Sequence, residues 1–131
     1  NRMTLTFFLR QVRTKLAAEG AMEIDVRKEG QAVIISLTGR MDAVSAPQFD
    51  RTAEDLLAHG DRRIIIDFVA LEYISSAGLQ SILALAKRLE PVDGDVILCN
   101  LGGPVKEVFD ISGFSIIFPI FDSLADAKAS G

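Results

Sequence analysis

Ser75 and Ser76 stand where an apolar strand gives way to an apolar-periodic helix, followed by Ala77, Gly78 and Leu79. The strand is read as Arg63–Phe68, with a short loop up to the serines and a helix from about Ser76 to Leu89. Two hydroxyls then lie at the positive end of a helix dipole, at the carboxyl edge of a sheet. A phosphate is electrostatically favoured at such a place. The same residues also suit plain N-capping, where serine is worth about 1 kcal/mol over alanine. Spacing alone leaves both chemistries open.

Two acids come next. Asp67 closes the run Ile64-Ile65-Ile66, the position of a phosphoacceptor aspartate in a receiver-type site. Such a site needs more acids at the end of the first parallel strand and a lysine after the last one, to hold Mg²⁺ and the phosphoryl group. Here those ends read Thr38-Gly39-Arg40 and Phe118-Pro119-Ile120, so Asp67 is assigned to bonding loop backbone. Asp42 falls on the same sheet edge as Ser76. It is read either as an acid beside Ser76 or as an Asx turn bonding its own backbone.

Other chemistry finds no support. There is no Gly-x-x-x-x-Gly-Lys-Ser/Thr loop, so ATP would have to come from a partner. Gly102-Gly103-Pro104 reads as a turn and helix cap. His59 is the only histidine and ends a helix. The single Cys99, in the strand-like run Val96–Cys99, reads as a buried, inert thiol. It excludes an internal disulfide and fits a reducing cytoplasm. No metal-ligand spacing occurs. Nothing in these residues argues for an enzyme or for a bound cofactor.

The elements that position these residues follow from periodicity. Glu23–Lys28 alternates, Glu29-Gly30-Gln31 turns, and Ala32–Thr38 is a more apolar strand. A helix starts at Ser45, where Gln48 has capping-box spacing and Pro47 lies in the first turn. It buries Phe49, Ala53, Leu56 and Leu57 and ends at His59-Gly60. Arg63–Phe68 is apolar on both faces, as a central parallel strand should be. The helix after the serines buries Leu79, Ile82, Leu83, Ala86 and Leu89, and stops at Pro91. Strand Asp95–Asn100, a third helix from Gly102 to Ser112-Gly113, a last strand Ser115–Ile120 and a final helix capped by Asp122 or Ser123 complete the order. Phe114 and Phe118 read as core or rim aromatics.

The chain has 131 residues, 49% hydrophobic and 24% charged, which suits one domain with an ordinary core. Its net charge of −4 argues against non-specific nucleic-acid binding. Residues 1–21 carry Arg2, Arg10, Arg13 and Lys15 against Glu19, a net +3, so residues 22–131 carry −7. Within the first segment Leu5, Phe8, Leu9, Val12 and Leu16 fall at helical spacing. Residues 1–21 are expected to be an amphipathic extension packing on protein, in part an expression remnant because the chain opens on Asn1. A membrane-surface or dimerisation helix is the alternative. No run reaches a membrane span, and no signal peptide is evident.

Four pieces in order resemble the STAS domains, the family of bacterial anti-sigma factor antagonists. They are Leu37–Asp42, Asp67–Leu79, Val105–Phe109 with Ser112-Gly113-Phe114, and Ile117–Asp122. The resemblance covers nearly all of residues 22–131. It implies an α/β sandwich with a mostly parallel mixed sheet, an antiparallel first strand and about four helices. Regulated members usually read Asp-Ser-Ser-Gly or Asp-Ser-Thr-Gly. Here Ser75 replaces the acid, Ala77 replaces the second hydroxyl, and Ser76 keeps the acceptor position.

By that resemblance the unphosphorylated domain binds an anti-sigma factor serine kinase, which supplies ATP and Mg²⁺. Phosphorylation of Ser76 releases it, and a phosphatase would reverse the step. The implied partner-binding residues are Asp42, Ser75, Ser76, Ala77, Gly78 and Leu79. The alternative is a STAS scaffold subunit without a phosphoswitch, in a stress-signalling or lipid-transport complex.

Overall fold

The computed structural model describes residues 22–130; the expected helix within residues 1–21 lies outside them. Strands β1 (Glu23–Glu29) and β2 (Ala32–Met41) form an antiparallel hairpin. Helix α1 (Ala46–Ala58), strand β3 (Arg63–Ile74), helix α2 (Ser76–Leu89) and a 3₁₀ turn (Glu90–Val92) follow. Then come β4 (Asp95–Cys99), α3 (Gly103–Ser112), the one-turn α4 (Phe114–Ile117), β5 (Ile120–Phe121) and α5 (Leu124–Ala129). The five strands form one sheet in sequential order, with β2 to β5 parallel.

Strand alternation divides the core in two. Val33, Ile35, Leu37, Ile64, Ile66, Phe68, Val96 and Leu98 pack with Phe49, Leu56, Leu79, Ile82, Leu85, Val105 and Phe109 from α1, α2 and α3. Their strand neighbours Ala32, Ile34, Ile65, Ile97 and Cys99 pack on the other face with Ala127 of α5, and Leu124 joins at the margin. Both faces are covered, which is why the central strands are apolar without alternation. In α2 the fully buried stripe includes Leu85, while the expected Leu83 and Ala86 are only partly buried.

Three expectations need correction. The loop expected after Phe68 is strand: β3 continues to Ile74, because β2 also runs on to Met41 and supplies a partner. The pairing Ser36↔Asp67 then Thr38↔Ala70, and Gly39↔Leu71 then Arg40↔Tyr73, shows an extra residue in β3 at two places. These bulges sharpen the twist where the strand passes beyond β4.

The strand expected at Ser115–Ile120 is helix in its first half. Gly113 closes α3 with φ 82°, a left-handed cap that glycine adopts without a Cβ clash. One further turn, α4, then sets Phe114 against Phe109 and Phe118 at ring distances of 6.4 and 6.3 Å. Phe118 precedes Pro119 and is forced extended, so the strand begins only at Ile120. This helix and α5 bring the described helices to five, one more than expected.

The capping box Ser45/Gln48 does not form. Ser45 is itself helical in its dihedrals, and the Gln48 amide donates to the Met22 carbonyl at 3.0 Å. No helix among the described residues is long and apolar enough to cross a membrane.

Cys99 is fully buried. Burial, with the nearby Asp67 carboxylate, pushes its thiol up to about 12. The reactive form is the thiolate. Native protein should therefore leave an aromatic disulfide reagent unreduced at mildly alkaline pH, and should react with one equivalent once unfolded in guanidinium. Prompt reaction of the native protein would show that the β4 face opens.

Candidate functional site

The site is the rim formed by the carboxyl ends of β2 and β3 and the first turn of α2. The Ser75 N–H donates to the Met41 carbonyl at 2.9 Å, so the end of β2 lies against the start of α2. Ser75 is extended and caps the helix, its hydroxyl accepting from the Gly78 N–H at 3.3 Å. Ser76 is the first helical residue and is exposed. The two serines therefore divide the roles that the sequence left open between them: Ser75 holds the helix, and the Ser76 hydroxyl makes no hydrogen bond to any described residue. The backbone N–H groups of Ser76 and Ala77 likewise find no acceptor among the described residues, as expected for the first turn of a helix.

Asp42 takes the Asx-turn role. Its Oδ1 accepts from the N–H of Val44 at 3.0 Å and of Ser45 at 3.1 Å. The Ser45 hydroxyl donates to the Arg40 carbonyl and accepts from the Asp42 N–H, both at 2.9 Å. These bonds form the turn into α1 that the absent capping box does not. They hold the Asp42 carboxyl below its ordinary range, the Ser45 N–H most strongly, with the Val44 N–H, the Ser45 hydroxyl and the Arg40 charge adding to it.

Asp67 is buried and equally engaged. It accepts from its own bulge, the Val69 N–H at 3.0 Å, and from the Asn100 side-chain amide at 3.0 Å. Asn100 takes φ 61° as β4 turns into α3. This pair ties the end of β4 to β3. No group of three or more potential metal ligands occurs among the described residues.

The implied partner-binding residues separate. Asp42, Ser75, Ser76 and Ala77 reach the surface, with Ser76 the most exposed. Gly78 and Leu79 do not: Leu79 is 4% exposed and belongs to the core. A Cβ on Gly78 would stand 2.8 Å from Ile74 Cγ1 and 3.0 Å from Met41 Cγ. Both residues therefore seat the helix on the strands beneath it. Sequence reasoning missed Arg40 and Tyr73. They are Cα partners across β2 and β3, and the guanidinium lies 4.3 Å from the Tyr73 ring centroid. No sequence signal pointed to the pair: both residues fall beyond the strand ends expected at Thr38 and Phe68, and the register that joins them is not written in the residues.

The family model for the STAS domain matches residues 23–127. BtrV, a Bordetella bronchiseptica protein classed with the anti-sigma factor antagonists, is 38% identical over 109 residues, 83% of this chain and 94% of that one. An anti-sigma factor antagonist structure from Mycobacterium paratuberculosis superposes with a TM-score of 0.79 at 23% identity, covering 87% of this chain and 97% of the other. The anti-sigma factor antagonist SpoIIAA in its unphosphorylated form gives 0.71 at 25% identity, covering 79% and 91%.

The Gly78 contact is open to test. Gly78→Ala gains about 1 kcal/mol of helix propensity but overpacks a rigid junction, which costs about 1–3 kcal/mol. A net loss of about 1 kcal/mol is expected in urea denaturation. Unchanged or raised stability would mean that Ile74 and Met41 yield freely.

Proposed function

The chain belongs to the STAS domain family, and from that premise we propose that it is an anti-sigma factor antagonist working by partner switching. Unphosphorylated, it binds an anti-sigma factor serine kinase. The kinase, with its own ATP and Mg²⁺, phosphorylates Ser76 and so releases it. A phosphatase resets the switch. The chain itself acts as a regulatory binding protein, with residues 22–131 as its STAS domain and residues 1–21 as an extension.

One observation carries the assignment of Ser76. The capping duty falls on Ser75, so Ser76 offers an exposed, unengaged hydroxyl on the first turn of α2. A phosphate there adds roughly −1.5 to −2 charges. The free N–H groups and the dipole favour it by about 0.3–1 kcal/mol at an exposed helix end, so the fold need not change. Across an interface the same charge would sit beside Asp42, with the exposed Glu72 on the same rim. A hundredfold loss of affinity needs only about 2.7 kcal/mol. Burying like charges together is worth that much.

The relatives support the general role. BtrV and SpoIIAA are both described as anti-sigma factor antagonists, and SpoIIAA is distinguished in an unphosphorylated form. Ser75 in place of the acid usual in regulated members favours the second reading, a STAS interaction subunit without a phosphoswitch.

Intact mass after incubation with the organism's own anti-sigma factor kinase and ATP decides between them. Wild type should gain one phosphate. Ser76→Ala should gain none and still bind the kinase, its stability within about 1 kcal/mol because it is not the cap. Ser76→Asp should fold but bind weakly. Phosphate on Ser75, or identical behaviour of Ser76→Ala and wild type, would leave the scaffold reading in place.

The domain boundary is checked separately. A protein beginning at Met22 should keep one cooperative melting transition. Loss of that transition would make the Leu5/Phe8/Leu9/Val12 stripe part of the core.

A further inference from the structure

We propose that Arg40, braced on the ring of Tyr73, is the specificity anchor of this rim, and that it receives a carboxylate from the kinase partner. The proposal rests on the antagonist reading above and names the chemistry of its partner.

Arg40 is the only cation in residues 36–45 and 67–86, the segments that build the rim; their other charges are Asp42, Asp67 and Glu72. It is exposed, and among the described residues its guanidinium makes no ion pair and donates no hydrogen bond. Lys28, Lys106, Lys128 and Arg88 are paired, with Asp61, Asp110, Glu29 and Glu54. Arg51, Arg62 and Lys87 are exposed and unpaired among the described residues as Arg40 is, but they lie off the rim and over no ring. Arg40 has a stacking partner instead, 4.3 Å from the Tyr73 centroid. A cation held over the ring face is restrained there, and none of the Arg40 N–H groups is spent on a described residue. The guanidinium edge matches a carboxylate in bidentate geometry, and little side-chain entropy remains to be lost on binding. Arginine and tyrosine are also the residue types most enriched among interface hot spots.

Position links the anchor to the switch. Arg40 and Tyr73 are paired across the strands, one step before the last pair, Met41 and Ile74, and the Met41 carbonyl accepts the 2.9 Å bond from the Ser75 N–H that seats α2. The anchor thus borders the turn carrying Ser76. A phosphate on Ser76 would act twice: it would draw on the Arg40 charge and repel the carboxylate that Arg40 receives. Asp42, on the same turn, feels the Arg40 charge but spends its Oδ1 on the N–H groups of Val44 and Ser45, and it forms no salt bridge with Arg40.

Affinity for the purified anti-sigma factor kinase, measured over a range of salt concentrations, tests this with Arg40→Gln, Arg40→Glu and Tyr73→Leu. Arg40→Gln should weaken binding about tenfold and flatten its salt dependence. Arg40→Glu should weaken it about a hundredfold, since it sets like charges opposite one another. Tyr73→Leu should fall between wild type and Arg40→Gln. All three should melt within a few degrees of wild type, because Arg40 holds no other element. Arg40→Glu binding no worse than Arg40→Gln would remove the partner carboxylate and overturn the proposal. Wild-type affinity in Arg40→Gln, with Ser76 still phosphorylated, would sink the anchor and leave the switch intact. Weakened binding by Arg40→Gln with no phosphate on Ser76 would keep the anchor and sink the switch. A wild type that does not bind the kinase overturns both.

Discussion

The rim depends on one close approach, between the first turn of α2 and the extended ends of β2 and β3. The Ser75 N–H reaches the Met41 carbonyl, and Gly78 lies so near Ile74 and Met41 that a side chain has no room. That approach requires β2 and β3 to run on past β4, which ends at Cys99 opposite Asp67. The two irregularities in β3 let the strand keep pairing while it twists toward the helix. Below the rim, Asp67 and Asn100 fasten the place where β4 leaves the sheet. Everything at the surface, from the Asp42 turn to Ser76, is carried on this junction.

Polar groups on the rim separate into those used up by the fold and those left over. Asp42, Ser45, Ser75 and Asp67 spend their acceptors on backbone N–H groups of turns, caps and bulges. Ser76 and Arg40 do not. A buried or half-buried polar group must be satisfied, so the fold takes the nearest side chains for that work. What remains exposed and unengaged is what a partner or a kinase can use. The division also separates two adjacent serines, one capping the helix and one left exposed and unengaged.

Much of the architecture was legible in the residues alone. The order of strands and helices follows from apolar periodicity, and the unbroken Ile64-Ile65-Ile66 run announced a strand covered on both faces. The helix start at Ser75-Ser76 was visible because a capping residue precedes an amphipathic stripe. Local patterns failed where a distant partner decided the outcome. Val69–Ile74 looked like a loop, because nothing nearby shows that β2 will extend to meet it. Ser115–Ile117 looked like strand because it is apolar, but Gly113 closes α3 and the packing of Phe114 favours another helical turn.

The sequence by itself determined the family, the antiparallel start of an otherwise parallel sheet, and the serine pair at a helix N-terminus, since each is written in contiguous residues. Only the tertiary structure decided which serine is the cap, that Gly78 lies against Ile74 and Met41, and that Arg40 lies over Tyr73. The reason is geometric. Those facts depend on the register between β2 and β3, and a parallel pair joined through a helix has no turn to declare its register in the sequence.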